Sequence, residues 1–138
     1  MVGMDLDATI TFPGGKRVDA DLNGRSIPTD QPAAVGGEGT APEPFALFAA
    51  SIGTCAGFYV LSFCQARGLP AEELALRQRL RFDGPKLVAV ELDVVLPPGF
   101  TDRYREALLR AAEGCKVKKA IEAQPRFVVR TLPAERAA

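Results

Sequence analysis

The chain opens on short alternating runs. Ala8 to Phe12, Lys16 to Leu22 and Arg25 to Ile27 each carry the pattern of a strand, and Pro13-Gly14-Gly15 and Asn23-Gly24 break them as turns. Asn-Gly is the strongest two-residue hairpin signal, so an N-terminal meander is expected. Residues Pro28 to Gly39 are rich in Pro, Gly, Asp and Thr without periodicity, which predicts a loop. The rhythm then changes: from Phe45 to Cys64 no residue is charged. Thr40-Ala41-Pro42-Glu43 has the spacing of a capping box, Pro44 suits a first helical turn, and Arg67-Gly68-Leu69-Pro70 reads as a glycine cap followed by a stop. A helix is expected between these signals. After it, Leu74 to Phe82 alternates as a strand with one wet face, Asp83-Gly84-Pro85-Lys86 turns, and Leu87 to Leu96 answers. A second helix from near Thr101 to Gly114 is expected to bury Leu108, Leu109 and Ala112. Cys115 then opens another helical turn through Ala120 and Ile121, and Arg126 to Leu132 is predicted as a final strand.

The uncharged run is long enough to cross a bilayer, and Gly53 and Gly57 give it a G-x-x-x-G spacing. The helix start and stop signals, with Ser51, Thr54 and Ser62 diluting the run, favour a core helix of a protein without a membrane span. A helix apolar all round must be covered on every side, and one small sheet covers one side. A second copy of the chain is the simplest further layer, so a homodimer with this helix near its centre is expected. Phe45, Phe48, Phe58, Tyr59 and Phe63 are expected in the core, where some of them would line an apolar channel.

At 138 residues the chain suits one domain. Lys and Arg total 17 and Asp and Glu total 17, so no net field attracts nucleic acid or an anionic membrane. There is no histidine, which excludes Ser-His-Asp triads, Cys-His dyads and histidine metal sites. No metal or other cofactor is expected. Three cysteines without a C-x-x-C fit neither a zinc site nor a secreted disulfide framework, and the N-terminus lacks a signal-peptide pattern. A cytoplasmic protein is expected.

The candidate chemistry therefore rests on thiols. Cys55 lies in mid-helix among Ala, Gly and Phe, whereas Cys115 starts a helix beside Lys116, Lys118 and Lys119. Positive charge and a helix N-terminus favour a thiolate and apolar burial opposes it, so by residues alone Cys115 is the more acidic of the two. Cys64, near the end of the same apolar helix as Cys55, reads as a small core hydrophobe.

The element order, with P-F-A-L-F-A-A-S-I-G-T-C, C-K-V-K-K-A-I-E-A and the loop G-G-E-G-T-A-P-E-P, resembles the OsmC and organic-hydroperoxide-resistance family of thiol peroxidases over nearly the whole chain. The resemblance implies an α+β fold in a single OsmC-like domain, residues 1–138, with antiparallel sheets packed on two long central helices of an intertwined homodimer. It implies that Cys55 is peroxidatic, that Cys115 resolves it, and that an arginine from an early segment stabilises the thiolate. Arg17, or Lys16 beside it, occupies that segment. Its substrates would be organic hydroperoxides and a thiol reductant. Peroxidase members hold the arginine with a glutamate after the proline, where this chain has Phe45. Glu43 and Glu38 are the nearest replacements, and weak activity is expected. The rival is a non-catalytic OsmC-like dimer that binds a small hydrophobic ligand at its interface.

Overall fold

The computed structural model describes residues 5–134. Three N-terminal strands form an antiparallel meander: β1 (Thr9–Gly14), β2 (Arg17–Leu22) and β3 (Arg25–Ile27), in the order β1-β2-β3. Asn23 (φ 53°) and Gly24 (φ 82°) both take the left-handed conformation that a type I′ turn demands, which is why the Asn-Gly signal is reliable here. Asp21 accepts the Gly24 amide at 2.8 Å and locks the turn. The long helix α1 (Pro44–Ala66) follows, then a hairpin of β4 (Ala75–Asp83) and β5 (Lys86–Val95), and two short helices, α2 (Arg105–Glu113) and α3 (Lys116–Glu122).

The chain divides into two compact units, and the boundary falls inside α1. The first runs to Thr54 and takes in Arg77–Asp93; the second combines Cys55–Leu76 with the chain from Val94 onward. In the first unit the loop before α1 is organised by one carboxylate. Asp30 is 1% exposed and accepts the Gln31 amide at 2.8 Å, the Thr40 amide at 3.0 Å and the Thr40 hydroxyl at 2.6 Å. Those bonds, the Thr40 hydroxyl first, hold its acid well below the usual carboxylate range, down to about 2. Gly37 passes so close to the Gln31 backbone that a Cβ there would lie 1.9 Å from the Gln31 carbonyl oxygen. The expected capping box does not form: α1 begins at Pro44, so Thr40 lies before its first turn and donates its hydroxyl to Asp30. Glu43 caps the helix by its backbone instead, its carbonyl accepting the Ala46 and Leu47 amides, with Pro44 in the first turn as expected.

The other end of α1 follows its sequence signal closely. Gly68 (φ 64°) sends its amide to Gln65, and Leu69 sends its amide 2.9 Å to Cys64, the two bonds of a Schellman cap. Along α1, Ile52, Ala56, Val60, Phe63 and Cys64 form one buried stripe at helical spacing. Thr54, Phe58, Leu61 and Gln65 form an exposed one. The helix is long and apolar enough to cross a membrane, and 22% of its most apolar window is buried within the described chain. The aromatic residues expected in the core are therefore not all there. Phe63 is buried, whereas Phe45, Phe48 and Phe58 are 48%, 36% and 61% exposed, because a single covering layer reaches one stripe of a helix.

In the first unit the hairpin grips the start of α1. The Gln78 side-chain amide donates 2.8 Å to the Ala49 carbonyl, and Phe82 packs against Phe45 with ring centroids 5.9 Å apart. In the second unit Val60, Phe63, Cys64, Leu108 and Ala112 form the core, ringed by Leu69, Leu74, Leu76, Val94 and Leu96. Leu108 and Ala112 are buried on α2 as expected, but Leu109 is 44% exposed, one residue round the helix from the buried face. The predicted strand Arg126 to Leu132 is absent: the described chain after Ala123 is irregular, with Phe127 87% and Val129 95% exposed. A strand exists only as part of a ladder, and among the described residues this segment joins neither sheet.

Two outcomes follow. Because the folded Asp30 acid is depressed, its stabilisation is complete above the ordinary aspartate pKa and fades as the pH falls towards about 2. Acid unfolding followed by circular dichroism should show the wild type losing stability over that interval relative to its neutral value, while Asp30→Asn starts less stable and loses less. Leu108→Ala should cost about 2–5 kcal/mol in denaturant melts, as expected for a side chain 1% exposed.

Candidate functional site: two thiols at the start of α3

The second unit holds all three cysteines, and none is in a disulfide. Cys64 is fully buried in the apolar core, where burial pushes its thiol up and the nearby Arg67 cation only partly opposes this. That is the inert role expected of it. Cys55 differs. It shares with Tyr59 and Ser62 the half-buried flank between the two stripes of α1, reachable yet partly shielded.

Cys115 is 2% exposed and occupies the position immediately before α3. The chain turns there because α2 ends at Gly114, whose amide returns 3.2 Å to the Arg110 and Ala111 carbonyls. α3 has no acidic residue in its first turn, and the acceptors facing its leading amides are sulfurs. The Cys55 sulfur is one of them and the Cys115 sulfur is the other. The Val117 and Lys116 amides and the Cys115 thiol all donate to the Cys55 sulfur.

These contacts separate the two thiols. Burial disfavours charge on Cys55, but the Val117 amide, the Cys115 thiol, the Lys116 amide and the Lys116 ammonium together outweigh it, and the Cys55 thiol is drawn below the usual cysteine range. Cys115 is pushed above that range, first by burial and then by giving its proton towards Cys55, against some relief from the Lys118 and Val117 amides. This reverses the order read from the residues alone. The helix start does favour a thiolate, but the amides of its first turn serve the cysteine facing it as well as the one preceding it.

Arg17 lies on β2 in the first unit, where its guanidinium pairs with Asp19 at 2.9 Å. The carboxylate that holds the arginine is thus Asp19, on its own strand, rather than Glu43 or Glu38. Glu38 instead lines a cavity of about 210 Å³ in that unit with Lys16, Arg17 and Asp30. Phe45 packs against Phe48 at 5.5 Å as well as against Phe82. A cation whose field acts on Cys55 within its own unit is that of Lys116. Sequence reasoning treated Lys116, Lys118 and Lys119 as one cluster. The signal for Lys116 was available in its place directly after Cys115, at the head of a helix without an acidic first turn. Among the described residues no group of His, Cys, Asp and Glu is arranged to hold a metal ion.

A family model for OsmC-like proteins matches residues 37–130, a span that contains α1, the hairpin, α2, α3 and both thiols. The chain belongs to the OsmC-like family. Its α+β fold agrees with solved structures from that family. A protein from Psychrobacter arcticus 273-4 assigned to osmotic stress and detoxification response is 19% identical, with a TM-score of 0.71 over 87% of this chain and 90% of that one. The OsmC organic hydroperoxide resistance protein of Legionella pneumophila is 22% identical, with a TM-score of 0.58 over 88% and 91%. OhrB, the organic hydroperoxide resistance protein of Bacillus subtilis, is 21% identical, with a TM-score of 0.55 over 88% and 93%. At these identities the likeness is one of fold. Among curated proteins no sequence matches.

The site of this OsmC-like chain makes a direct prediction. Alkylation by iodoacetamide, resolved by peptide mapping across pH, should label Cys55 at lower pH than Cys64 or Cys115. Cys115→Ala removes one donor from the Cys55 sulfur and should move the Cys55 profile upward.

Proposed function

We propose that the protein is a thiol-dependent peroxidase for organic hydroperoxides, with Cys55 as the attacking thiolate and Cys115 as the resolving thiol. The observation that carries this reading is the mutual contact of the two thiols, with Cys55 drawn down and Cys115 pushed up. Peroxide reduction uses one thiol that ionises more readily than its partner and a partner that stays protonated, and the pair is set apart in that direction.

In the first step the Cys55 thiolate attacks the distal oxygen of a hydroperoxide. The O–O bond breaks, the alkoxide leaves and takes a proton to become the alcohol, and Cys55 becomes a sulfenic acid. The Cys115 sulfur then attacks the Cys55 sulfur; an S–S bond replaces the S–OH bond, and hydroxide leaves with the Cys115 proton as water. An external dithiol reduces the disulfide by two exchanges and restores both thiols. Regeneration of this kind belongs to a reducing compartment such as the cytoplasm.

The same reading makes the chain a single OsmC-like domain in a homodimer. Phe58 and Leu61, 61% and 41% exposed on α1, are the apolar surface that a second copy would cover. The half-buried Tyr59, in edge contact with Phe58 at 5.5 Å, lies four residues from Cys55 and also suits the rival, a dimer holding a small hydrophobic ligand beside inert thiols.

Turnover of an organic hydroperoxide with a dithiol reductant separates the two. Cys55→Ser should abolish consumption, and Cys115→Ser should stop after one oxidation per site. Mapping after mild peroxide should find a Cys55–Cys115 disulfide with Cys64 still reduced. Equal consumption by wild type and Cys55→Ser would leave the ligand-binding reading standing. Light scattering in detergent-free buffer should give a dimer; a stable monomer, or material extracted only by detergent, would defeat that part.

A further inference from the structure

We infer that a cavity beside the start of α2 is a second binding site, one that takes the anion of an aliphatic monocarboxylic acid. It lies wholly in the second unit and apart from the thiols. Arg105, on its lining, opens α2, whereas Cys115 follows the end of that helix, about 13 Å further along its axis. Binding there does not depend on peroxide chemistry.

The cavity has a volume of about 350 Å³ and is lined by Val94, Leu96, Arg105, Leu108 and Leu109. Four of these side chains are aliphatic and the fifth carries a guanidinium, the mixture that holds an apolar ligand by one polar end. Leu108, 1% exposed, closes the floor against the core. Leu109 is 44% exposed, and a helix that only covered the core would carry a polar residue there. The cavity supplies this leucine with the apolar partner that the core does not. Arg105 and Leu109 are four residues apart, so they share one face of α2 and are separated by about 6 Å along its axis. A ligand spanning one helical turn therefore meets a cation at one end and an aliphatic wall at the other. The Arg105 guanidinium donates 2.8 Å to Asp102, but the two side chains are 59% and 86% exposed, and so open a pair contributes little. The guanidinium keeps further N–H groups, so a ligand carboxylate can share it with Asp102 or replace Asp102 outright. Arg103 does not compete for such a ligand: its guanidinium is turned onto the Tyr104 ring and donates to the Tyr104 hydroxyl at 2.6 Å. A neutral ligand would leave Arg105 unused, and a dianion would press its second charge on the leucines.

The test follows the leucine and valine methyl signals of the full chain by NMR while hexanoate, octanoate, decanoate or octan-1-ol is added. The carboxylates should shift the methyls of Val94, Leu96, Leu108 and Leu109. Each added methylene should tighten binding about fourfold until the cavity is full. Asp102, Arg105 and Leu109 are exposed, so changes at these positions leave the core packing intact. Arg105→Met should weaken octanoate about tenfold and leave octan-1-ol unchanged. Leu109→Ala should weaken both. Asp102→Asn removes the competing carboxylate and should tighten octanoate, a gain that damage to the fold would not produce. The proposal is overturned by the absence of methyl shifts, by equal octanoate affinity in wild type and Arg105→Met, or by octan-1-ol binding as tightly as octanoate. Shifts confined to Leu61 also overturn it, because they would seat the ligand on the exposed stripe of α1. No hydroperoxide or reductant is present, so failure here leaves the peroxidase reading untouched, and failure of turnover leaves this site untouched.

Discussion

The Cys55 sulfur, carried by another helix, is an acceptor for the leading amides of α3, and the chemistry of the molecule depends on that one arrangement. A helix leaves its leading amides without partners, and most helices satisfy them with a Ser, Thr, Asp or Asn just before the first turn. Here Cys115 stands in that place, and the amides turn to two sulfurs, its own and that of Cys55 on another helix. An interaction that usually only ends a helix neatly becomes the means of ionising a thiol.

For this to work, α1 must present Cys55 at a fixed height and angle. Both ends of the helix are fastened by local bonds as well as by packing. Upstream, Asp30 gathers the amides of a glycine-rich loop that would otherwise sample many conformations; downstream, Gly68 closes the Schellman cap. Between them the buried stripe from Ile52 to Cys64 sets the rotation of the helix, and Cys55 falls on its flank. The burial of the thiol is a compromise. Deeper placement, as at Cys64, leaves a thiol inert, whereas full exposure would surrender the hydrogen bonds to water.

Much of this was legible in the sequence wherever a signal was local. Asn23-Gly24, Pro44 and Arg67-Gly68-Leu69 specify backbone conformations by themselves, and each is found in its expected place. Reading failed where the partner of a group lies far along the chain. Thr40 has the right spacing from Glu43, yet it is anchored to Asp30, ten residues earlier, and the helix begins only at Pro44. Arg126 to Leu132 has a strand composition, but composition supplies no neighbouring ladder. The acidity of the two thiols inverted for the same reason: Cys115 has the lysines beside it in sequence, while Cys55 has the amides facing it in space.

Gly53 illustrates how such distant pairing constrains change. A Cβ at this position would lie 2.7 Å from the Gln78 side-chain oxygen, while the nitrogen of the same amide group holds the Ala49 carbonyl. Neither residue is therefore free to drift alone. An alanine at 53 forces the tip of the glutamine to shift, and a shorter residue at 78 removes that contact with the glycine. Over evolutionary time the two positions should substitute together, so that a glycine in the middle of a helix records the length of a side chain on a strand twenty-five residues later.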